Sequence, residues 1–478
     1  MTPKVAVLGG GVSGLACAQR LLSIARTRKQ ECDVVLIESS SRLGGTIQTE
    51  NVDGFLLEKG PDCFLSQKAS FLSLCKEWGL ESSLAGTNAE NRKSFVAHPR
   101  GLFPLPRGFY LIAPVDPWPF LSTPLFSPAG KARMMFETLV PGYRSEKDES
   151  LGAFMRRRFG YEAFRNVGQA MLGGIYAGNP DELSLQATMP LLRDLEKEHR
   201  SVILGLAKRA RTKKALAEAS GPRYSLFLSF DQGMQVLTDR LAQDLPAERV
   251  IYSTKVTGLA REGSRWRIES DRKESFLVDA VFSALPACVL ATVLREDGPL
   301  PGLLRRIPFE TVATAHWAYR REDVAHPLDG FGFVVPAYLR KTTMACTFSS
   351  RKFRGRAKEG FVLLRGFSGG AFGHEAVARG DEDLMDAIEK ELSDWLGIRG
   401  RPVFRQLTRF TEVMPQYRVG HLDLVRQIKS ELDTCPGLYL TGSSFKGSGI
   451  PDCVQDAQEQ ADDFWNRHTE TAAKGLRP

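Results

Sequence analysis

Two glycine-rich turns carry the strongest chemical signal in this chain. The first follows the apolar run Val5–Leu8 and reads Gly9-x-Gly11-x-x-Gly14, after which Leu15, Ala16, Ala18, Leu21 and Leu22 continue at helical spacing. In such a strand–turn–helix Gly9 makes the tight turn, Gly11 lets backbone approach a pyrophosphate, and Gly14 lets the helix lie close to the sheet. The phosphates then meet the positive end of the helix. A second apolar run, Val34–Ile37, ends in Glu38, placed to accept hydrogen bonds from ribose hydroxyls. An acid there favours a dinucleotide whose ribose carries no 2′-phosphate. The second glycine turn spans Gly442, Gly447 and Gly449 after the run Leu438–Leu440. It leads into a helix expected to open with Pro451, where a missing N–H costs little.

The bulk properties bound what surrounds these turns. A chain of 478 residues, 42% apolar and 25% charged, has room for two or three globular domains. The net charge of +8, from 64 basic and 56 acidic residues, is mild and does not demand a nucleic-acid partner. Eight cysteines lie scattered without a CxxC pair, as expected of reduced thiols in a cytosolic-type compartment. The seven histidines form no HxxxH or HExxH, so no protein-built metal site is expected. With the first strand at Lys4 no apolar leader is expected, and no run qualifies as a transmembrane helix. The aromatic stretch Gly108–Gly130 is punctuated by Pro114, Pro117, Pro119, Pro124 and Pro128, which should break any helix there. Its apolar side chains need a core or a bilayer interface to bury against.

Beyond Glu38 the chain departs from a plain dinucleotide fold. Arg42-Leu43-Gly44-Gly45 directly follows the acidic strand end, and Asp53–Phe64 adds a strand and a Gly60–Pro61 turn. This order resembles the flavoproteins of the amine-oxidase superfamily. Inner motifs narrow the resemblance: NRKSFVAHPRGLFPLP from Asn91, GGIYAGNPDELSLQATMP from Gly173, EHRSVILGL from Glu198, FDQGMQVLTDRLA from Phe230, DGFGFVVP from Asp329 and MPQYRVGHL from Met414. Over nearly its whole length the chain is similar to the oxygen-dependent protoporphyrinogen oxidases of haem synthesis.

The resemblance implies an α/β flavoprotein: a Rossmann-like FAD-binding domain, a mixed-sheet substrate domain and an inserted helical segment. The FAD domain would be discontinuous, from 1–90, 223–290 and 406–467. Residues 91–104 and 291–405 would form the substrate domain, and 105–222 a mainly helical segment with a membrane-binding role. FAD would be held non-covalently, since the turn Thr441–Gly449 has no cysteine and Cys453 lies in the following helix. The implied FAD contacts are Gly9, Gly11, Gly14, Glu38, Arg42, Gly44, Gly45, Val256, Gly442, Gly449 and Pro451.

The implied reaction is hydride transfer from protoporphyrinogen IX to FAD, with O2 as final acceptor giving H2O2. The cofactor carries the difficult step, so no catalytic acid–base pair is expected. Implied substrate contacts are Arg92 as carboxylate anchor, Phe353 as a stacking ring, Val334 as an aliphatic wall, and Gly174 (beside Gly173) where a side chain would block the macrocycle. Asp62 stands where relatives carry Asn or Arg, and an acid there would repel a propionate. Pro451 and Phe445 replace a common Asn and Tyr. Coproporphyrinogen III is the alternative substrate. A flavin amine oxidase is a more distant reading, and a non-enzymatic binding protein would take up no flavin. The partners admitted are a membrane surface, a second copy in a homodimer, and a ferrochelatase receiving the product. The implied location is the cytoplasm, peripheral at a membrane.

Overall fold

A computed structural model of the chain describes residues 2–66, 68–110, 113–143, 145–220, 226–295 and 298–473. Its principal strands are β1 (Lys4–Leu8), β2 (Asp33–Ile37), β3 (Ser94–His98), β4 (Gly101–Pro104), β5 (Val250–Ile251), β6 (Ala280–Ser283), β7 (Phe309–Arg320), β8 (Gly332–Val334), β9 (Ala345–Thr347), β10 (Phe361–Gly369), β11 (Phe404–Pro415) and β12 (Leu438–Leu440). The helices that matter for the site are α1 (Val12–Arg28), α2 (Pro117–Ser122), α3 (Pro128–Met135), α4 (Gln169–Tyr176) and α5 (Ile450–Ala473).

A parallel sheet in the order β5-β2-β1-β6-β12 forms the centre of the cofactor side. Its strands are covered on both faces, which is why β1 reads as a continuous apolar run rather than an alternating one. Successive strands run to opposite sides of β1, with β2 on one flank and β6 on the other. Such a switch point leaves a crevice beyond the carboxyl ends of the strands. α1 and α5 pack together on one face. Trp465 Nε1 donates to the Leu21 carbonyl at 3.2 Å, and Arg20 pairs with Asp462 at 2.8 Å. Helix α5 begins at Ile450, one residue earlier than expected, so Pro451 takes the second helical position. An unpaired N–H is equally tolerable there, since the first four donors of a helix have no intrahelical partner.

The second sheet has the order β11-β7-β10-β9-β8-β3-β4, antiparallel except for the parallel pair β8–β3. Two boundaries expected from sequence move. The helices Ala287–Val293 and Leu300–Arg305 bury Leu290, Leu300 and Leu304 with Leu8 and Ile37 on the parallel sheet, not in the substrate domain. Strand β11 pairs along β7 up to Pro415, so the return to the cofactor side follows residue 415 and not 406. In both places a local pattern identifies an element but not the partner that claims it.

From Pro117 to Ser220 the regular elements are helices. They enclose a core that includes Phe120, Phe126, Phe154, Phe159 and Leu192, and a fully buried Arg158–Glu137 ion pair. The prolines start helices here as well as ending them. Pro117 and Pro128 open α2 and α3, capped by the side chains of Asp116 and Ser127. Of the aromatic stretch, Leu111 and Ile112 lie outside the described residues.

Candidate active site

Three strand ends converge at the crevice: Gly9 after β1, Ala284 after β6 and Gly442 after β12. A Cβ on Gly9 would lie 3.5 Å from the Ala284 carbonyl oxygen. One on Gly442 would lie 3.7 Å from Ser13 Oγ at the start of α1. The glycine turns from opposite ends of the chain thus face one another across a few ångströms. Gly14 is packed more tightly than Gly9 or Gly442, since a Cβ there would sit 1.9 Å from the Gly9 carbonyl oxygen. Helix α1 can approach β1 this closely only without a side chain at that position.

The third glycine turn locks onto the first. Gly44 N–H donates to the Gly10 carbonyl at 2.8 Å, and a Cβ on Gly45 would lie 3.0 Å from Gly11 Cα. Gly44 adopts φ +106°, a conformation closed to L side chains. Arg42 holds this turn from beneath. Its guanidinium donates to the carbonyls of Leu43 at 2.8 Å, Ile47 at 3.1 Å and Gly45 at 2.5 Å, and to Gln48 Oε1 at 3.1 Å. Burial lowers its pKa, against the pull of Glu38 and Asp239.

Glu38 is buried and already anchored. Oε2 accepts from Gly10 N–H at 2.6 Å, and Oε1 accepts from Ser40 N–H at 2.7 Å. A carboxylate has about four acceptor sites, so capacity remains for ribose hydroxyls. Val256 is buried among Leu8, Ile37 and Val281 on the parallel sheet. Close by, Thr254 N–H donates to the Glu38 carbonyl at 2.9 Å.

At the second turn, Gly442 has φ +111°, and Gly449 sits where a Cβ would lie 3.0 Å from Asp452 Oδ2. Asp452 pairs with Lys68, which supports a structural charge at the helix start. Three residues not singled out from sequence brace this turn. Buried Asp456 accepts from Thr441 Oγ1 at 2.9 Å and from Gly442 N–H at 3.3 Å. Tyr417 Oη donates to the Ser443 carbonyl, and Ser444 Oγ accepts from Ala287 N–H at 3.2 Å. The signal for Asp456 was its spacing, one helical turn after Asp452 on the first turns of α5.

The residues present fit FAD. Glycines let the backbones of three turns approach one another at the strand ends, and the buried Glu38 carboxylate keeps acceptor capacity beside them. Bound there, FAD would be held by Gly9, Gly11, Glu38, Gly44 and Gly45 at its adenosine and pyrophosphate half and by Gly442, Gly449 and Pro451 at its flavin half, with Gly14 seating α1 on β1.

The wall beyond the cradle is made by side chains. Gly60 presses on the Gly45–Thr46 turn so tightly that a Cβ would meet the Thr46 carbonyl oxygen at 1.7 Å. Asp62, two residues on, accepts from Lys352 Nζ at 2.8 Å, and Cys63 Sγ lies 3.3 Å from the same nitrogen. Burial opposes the charge on Asp62, yet Lys352 and Arg365 hold its carboxyl well below the usual range. The repulsion expected of this acid is therefore neutralised locally. Burial pushes the Cys63 thiol up to about 12.

The segment bearing Lys352 is tied to the turn before Arg92. Asn88 N–H donates to the Lys352 carbonyl at 2.9 Å, and Asn91 Nδ2 to the Arg351 carbonyl at 3.2 Å. Arg92 itself is exposed and has no ion pair or hydrogen bond among the described residues. Its neighbour Lys93 pairs with Asp329. Gly174 of α4 and Val334 of β8 come together, with a Cβ on the glycine 3.8 Å from Val334 Cγ1. Val334 is the register partner of Val96 in β3, four residues along the chain from Arg92, or roughly 13 Å of extended chain.

Phe353 departs from expectation. It is 2% exposed, with Lys352 Nζ 5.3 Å and the Arg356 guanidinium 5.5 Å from its ring centroid, so it offers no open face for stacking. A ring flanked by three basic residues in sequence turns inward here, where the cations shelter it.

Comparison with known proteins agrees with this geometry. Residues 12–464 match the family of flavin containing amine oxidoreductases. The chain is 35% identical to coproporphyrinogen III oxidase of Bacillus subtilis (strain 168), covering 96% of this chain and 97% of the relative. It is 30% identical to protoporphyrinogen oxidase of Homo sapiens, covering 96% and 98%. A crystal structure from Exiguobacterium sp. 255-15, provisionally named a protoporphyrinogen oxidase, superposes with a TM-score of 0.85 at 28% identity, covering 97% of this chain and 99% of that one. The chain belongs to the flavin containing amine oxidoreductases and, among them, to the FAD-dependent porphyrinogen oxidases of haem biosynthesis.

Proposed function

We propose that the protein dehydrogenates a carboxylated porphyrinogen, with coproporphyrinogen III ahead of protoporphyrinogen IX. One observation carries the substrate class. An unengaged cation, Arg92, stands at one end of a wall whose other end is the apolar Gly174–Val334 contact, beside the cofactor cradle. A flat macrocycle with peripheral carboxylates matches that combination. The order of the two substrates follows the higher identity to the bacterial relative. A specific feature favours the second reading. Lys93 and Lys352 are already neutralised by Asp329 and Asp62, which leaves Arg92 to anchor carboxylates and suits the two propionates of protoporphyrinogen.

FAD supplies the hydride acceptor, and dioxygen removes the electrons. The chain's own residues bind and orient. Arg92 fixes a propionate through its planar fork. Gly174 and Val334 leave a slot for the ring. Asp62, held ionised by Lys352, keeps a fixed charge at the site without serving as a base at neutral pH.

Among the described residues no helix is long and apolar enough to cross a membrane. The helical segment instead presents an apolar patch suited to a bilayer face. Trp118 is 79% and Leu139 75% exposed, with Leu121 exposed three residues after Trp118 and Phe136 exposed three before Leu139. Lys131 Nζ donates to the Leu121 carbonyl at 2.7 Å, which joins α2 to α3. Flotation of the wild type with anionic liposomes, lost in Trp118→Asp/Leu139→Asp, is the expected result. Equal flotation of both proteins removes this patch from consideration.

Red porphyrin fluorescence in air tests the substrate. The purified holoenzyme is mixed with coproporphyrinogen III in one cuvette and protoporphyrinogen IX in another. Faster growth with the first supports the stated order, and faster growth with the second reverses it. No growth above the autoxidation blank in either, with FAD bound, overturns the reading.

A further inference from the structure

Three polar side chains lie side by side on one face of the seven-stranded sheet and lack partners among the described residues for part of their hydrogen bonding. His316 in β7 is directly opposite Arg365 in β10 and Gln406 in β11, so all three share one face. That face looks onto the loop that leads to Asp62. Thr314 Oγ1, two residues before His316, donates to the Lys59 carbonyl at 2.8 Å. Arg365 Nη2 donates to the same carbonyl at 3.2 Å and to that of Gly60. His316 is 1% and Arg365 3% exposed. Both ring nitrogens of His316, Nε of Arg365 and Oε1 of Gln406 are nevertheless buried without a hydrogen-bond partner among the described residues. The Glu58 carbonyl stands close enough to favour the protonated imidazole, though its geometry falls short of a hydrogen bond. Buried polar atoms concentrated like this are costly to leave unsatisfied, and such places are where internal water binds.

The two ends of the row differ. At one end Gln406 Nε2 donates to Glu50 Oε2 at 3.2 Å, and the Glu50 side chain is 37% exposed and pairs with Lys59. At the other end Arg365 stands close enough to Asp62 to act on its charge, and Asp62 and Lys352 belong to the wall of the active site. The row therefore runs from solvent at Glu50 to the Asp62–Lys352 pair through a buried, polar stretch.

We propose that His316, Arg365 and Gln406 hold a short chain of water molecules that passes protons between the Asp62–Lys352 corner and solvent at Glu50. The inference rests on the dehydrogenation proposed above. In each two-electron oxidation a C–H bond gives up a hydride to the cofactor and a pyrrole N–H gives up a proton. The N–H electron pair becomes part of a new C=N bond. Reduction of O2 to H2O2 by the reduced cofactor takes up one proton. Release and uptake balance but occur at different atoms and times, so each needs a connection to a proton pool. A neutral imidazole has one donor and one acceptor nitrogen and can sit in such a chain without becoming charged. His316, Arg365 and Gln406 are positioning residues for the water, not catalytic residues.

Two measurements test this. A crystal structure of the FAD-loaded protein that shows ordered water is expected to place molecules within hydrogen-bond reach of His316, Arg365 Nε and Gln406 Oε1. Side chains closed on one another, with no water between them, would sink the idea whatever the substrate is. In kinetics, Gln406→Leu and His316→Leu are expected to lower porphyrin formation several-fold and raise the solvent isotope effect, with KM and flavin content unchanged. Flavin absorbance identifies a variant that has failed to fold, and Gln406→Leu, nearer the sheet edge, serves if His316→Leu does. An unchanged solvent isotope effect in a flavin-loaded variant overturns the proton role. Absence of any wild-type turnover would fail the functional reading, while the crystallographic water test would still stand.

Discussion

In the cofactor cradle the decisive contacts are made by backbone: Gly44 N–H to the Gly10 carbonyl, Gly14 against Gly9, Gly442 beside Ser13. In the proposed substrate wall they would be made by side chains: the Asp62–Lys352 pair, Arg92, which has no partner among the described residues, and Val334 beside Gly174. A site of backbone tolerates change in neighbouring side chains and fails abruptly when a glycine gains a Cβ. A site of side chains can be retuned residue by residue. Asp62 illustrates the second kind, since its charge is balanced by one side chain, Lys352.

The contrast is broken most severely at Gly14. Gly14→Leu drives a side chain into the Gly9 carbonyl and is expected to abolish FAD retention, read as loss of visible flavin absorbance in the purified protein. Retained flavin would show that α1 can shift without opening the cradle. Arg92→Ala should leave flavin content untouched and raise KM roughly 10–150-fold, the value of a charge-assisted hydrogen bond of about 1.5–3 kcal/mol. An unchanged KM would move the carboxylate anchor elsewhere.

His316 sharpens the comparison through stability. Burial, with Arg365 nearby, depresses its pKa from 6.5 to about 3. Between those values the unfolded chain binds more protons than the folded one. Its contribution is therefore intact above 6.5 and falls as pH drops toward 3. At about pH 5 the loss is about 2 kcal/mol. Chemical denaturation of His316→Leu at about pH 5 and at neutral pH should show a smaller acid penalty than the wild type by that amount. Smallest is Val334→Ala, expected to weaken substrate binding by ~1 kcal/mol, about fivefold in KM, with no effect on flavin.

Much of the cradle was legible in the sequence because glycine spacing encodes backbone geometry directly. Gly9, Gly11, Gly14, Glu38 and the Gly44–Gly45 pair lie at one crevice. The interplay of side chains was less legible. Phe353 between Lys352 and Arg354 reads as an exposed ring, but its burial depends on which cations fold over it. The role of Asp62 depends on Lys352, 290 residues away. The row His316–Arg365–Gln406 exists only through strand register, which no local pattern specifies. The domain boundary expected at residue 406 falls inside the long β11 for the same reason.

The seating of β12 beside β6, with α5 against α1, has a consequence for biosynthesis. The first glycine turn leaves the ribosome early, but its facing turn at Gly442 is more than four hundred residues away. At ordinary elongation speeds the half-cradle waits roughly 20–90 s for its counterpart. During that time the apolar flank of α1 lacks α5, and the nascent chain has half a grip on its cofactor. Flavin capture is thereby a late event, and a ribosome stalled before β12 leaves a product with the first phosphate turn and without the redox half of the enzyme.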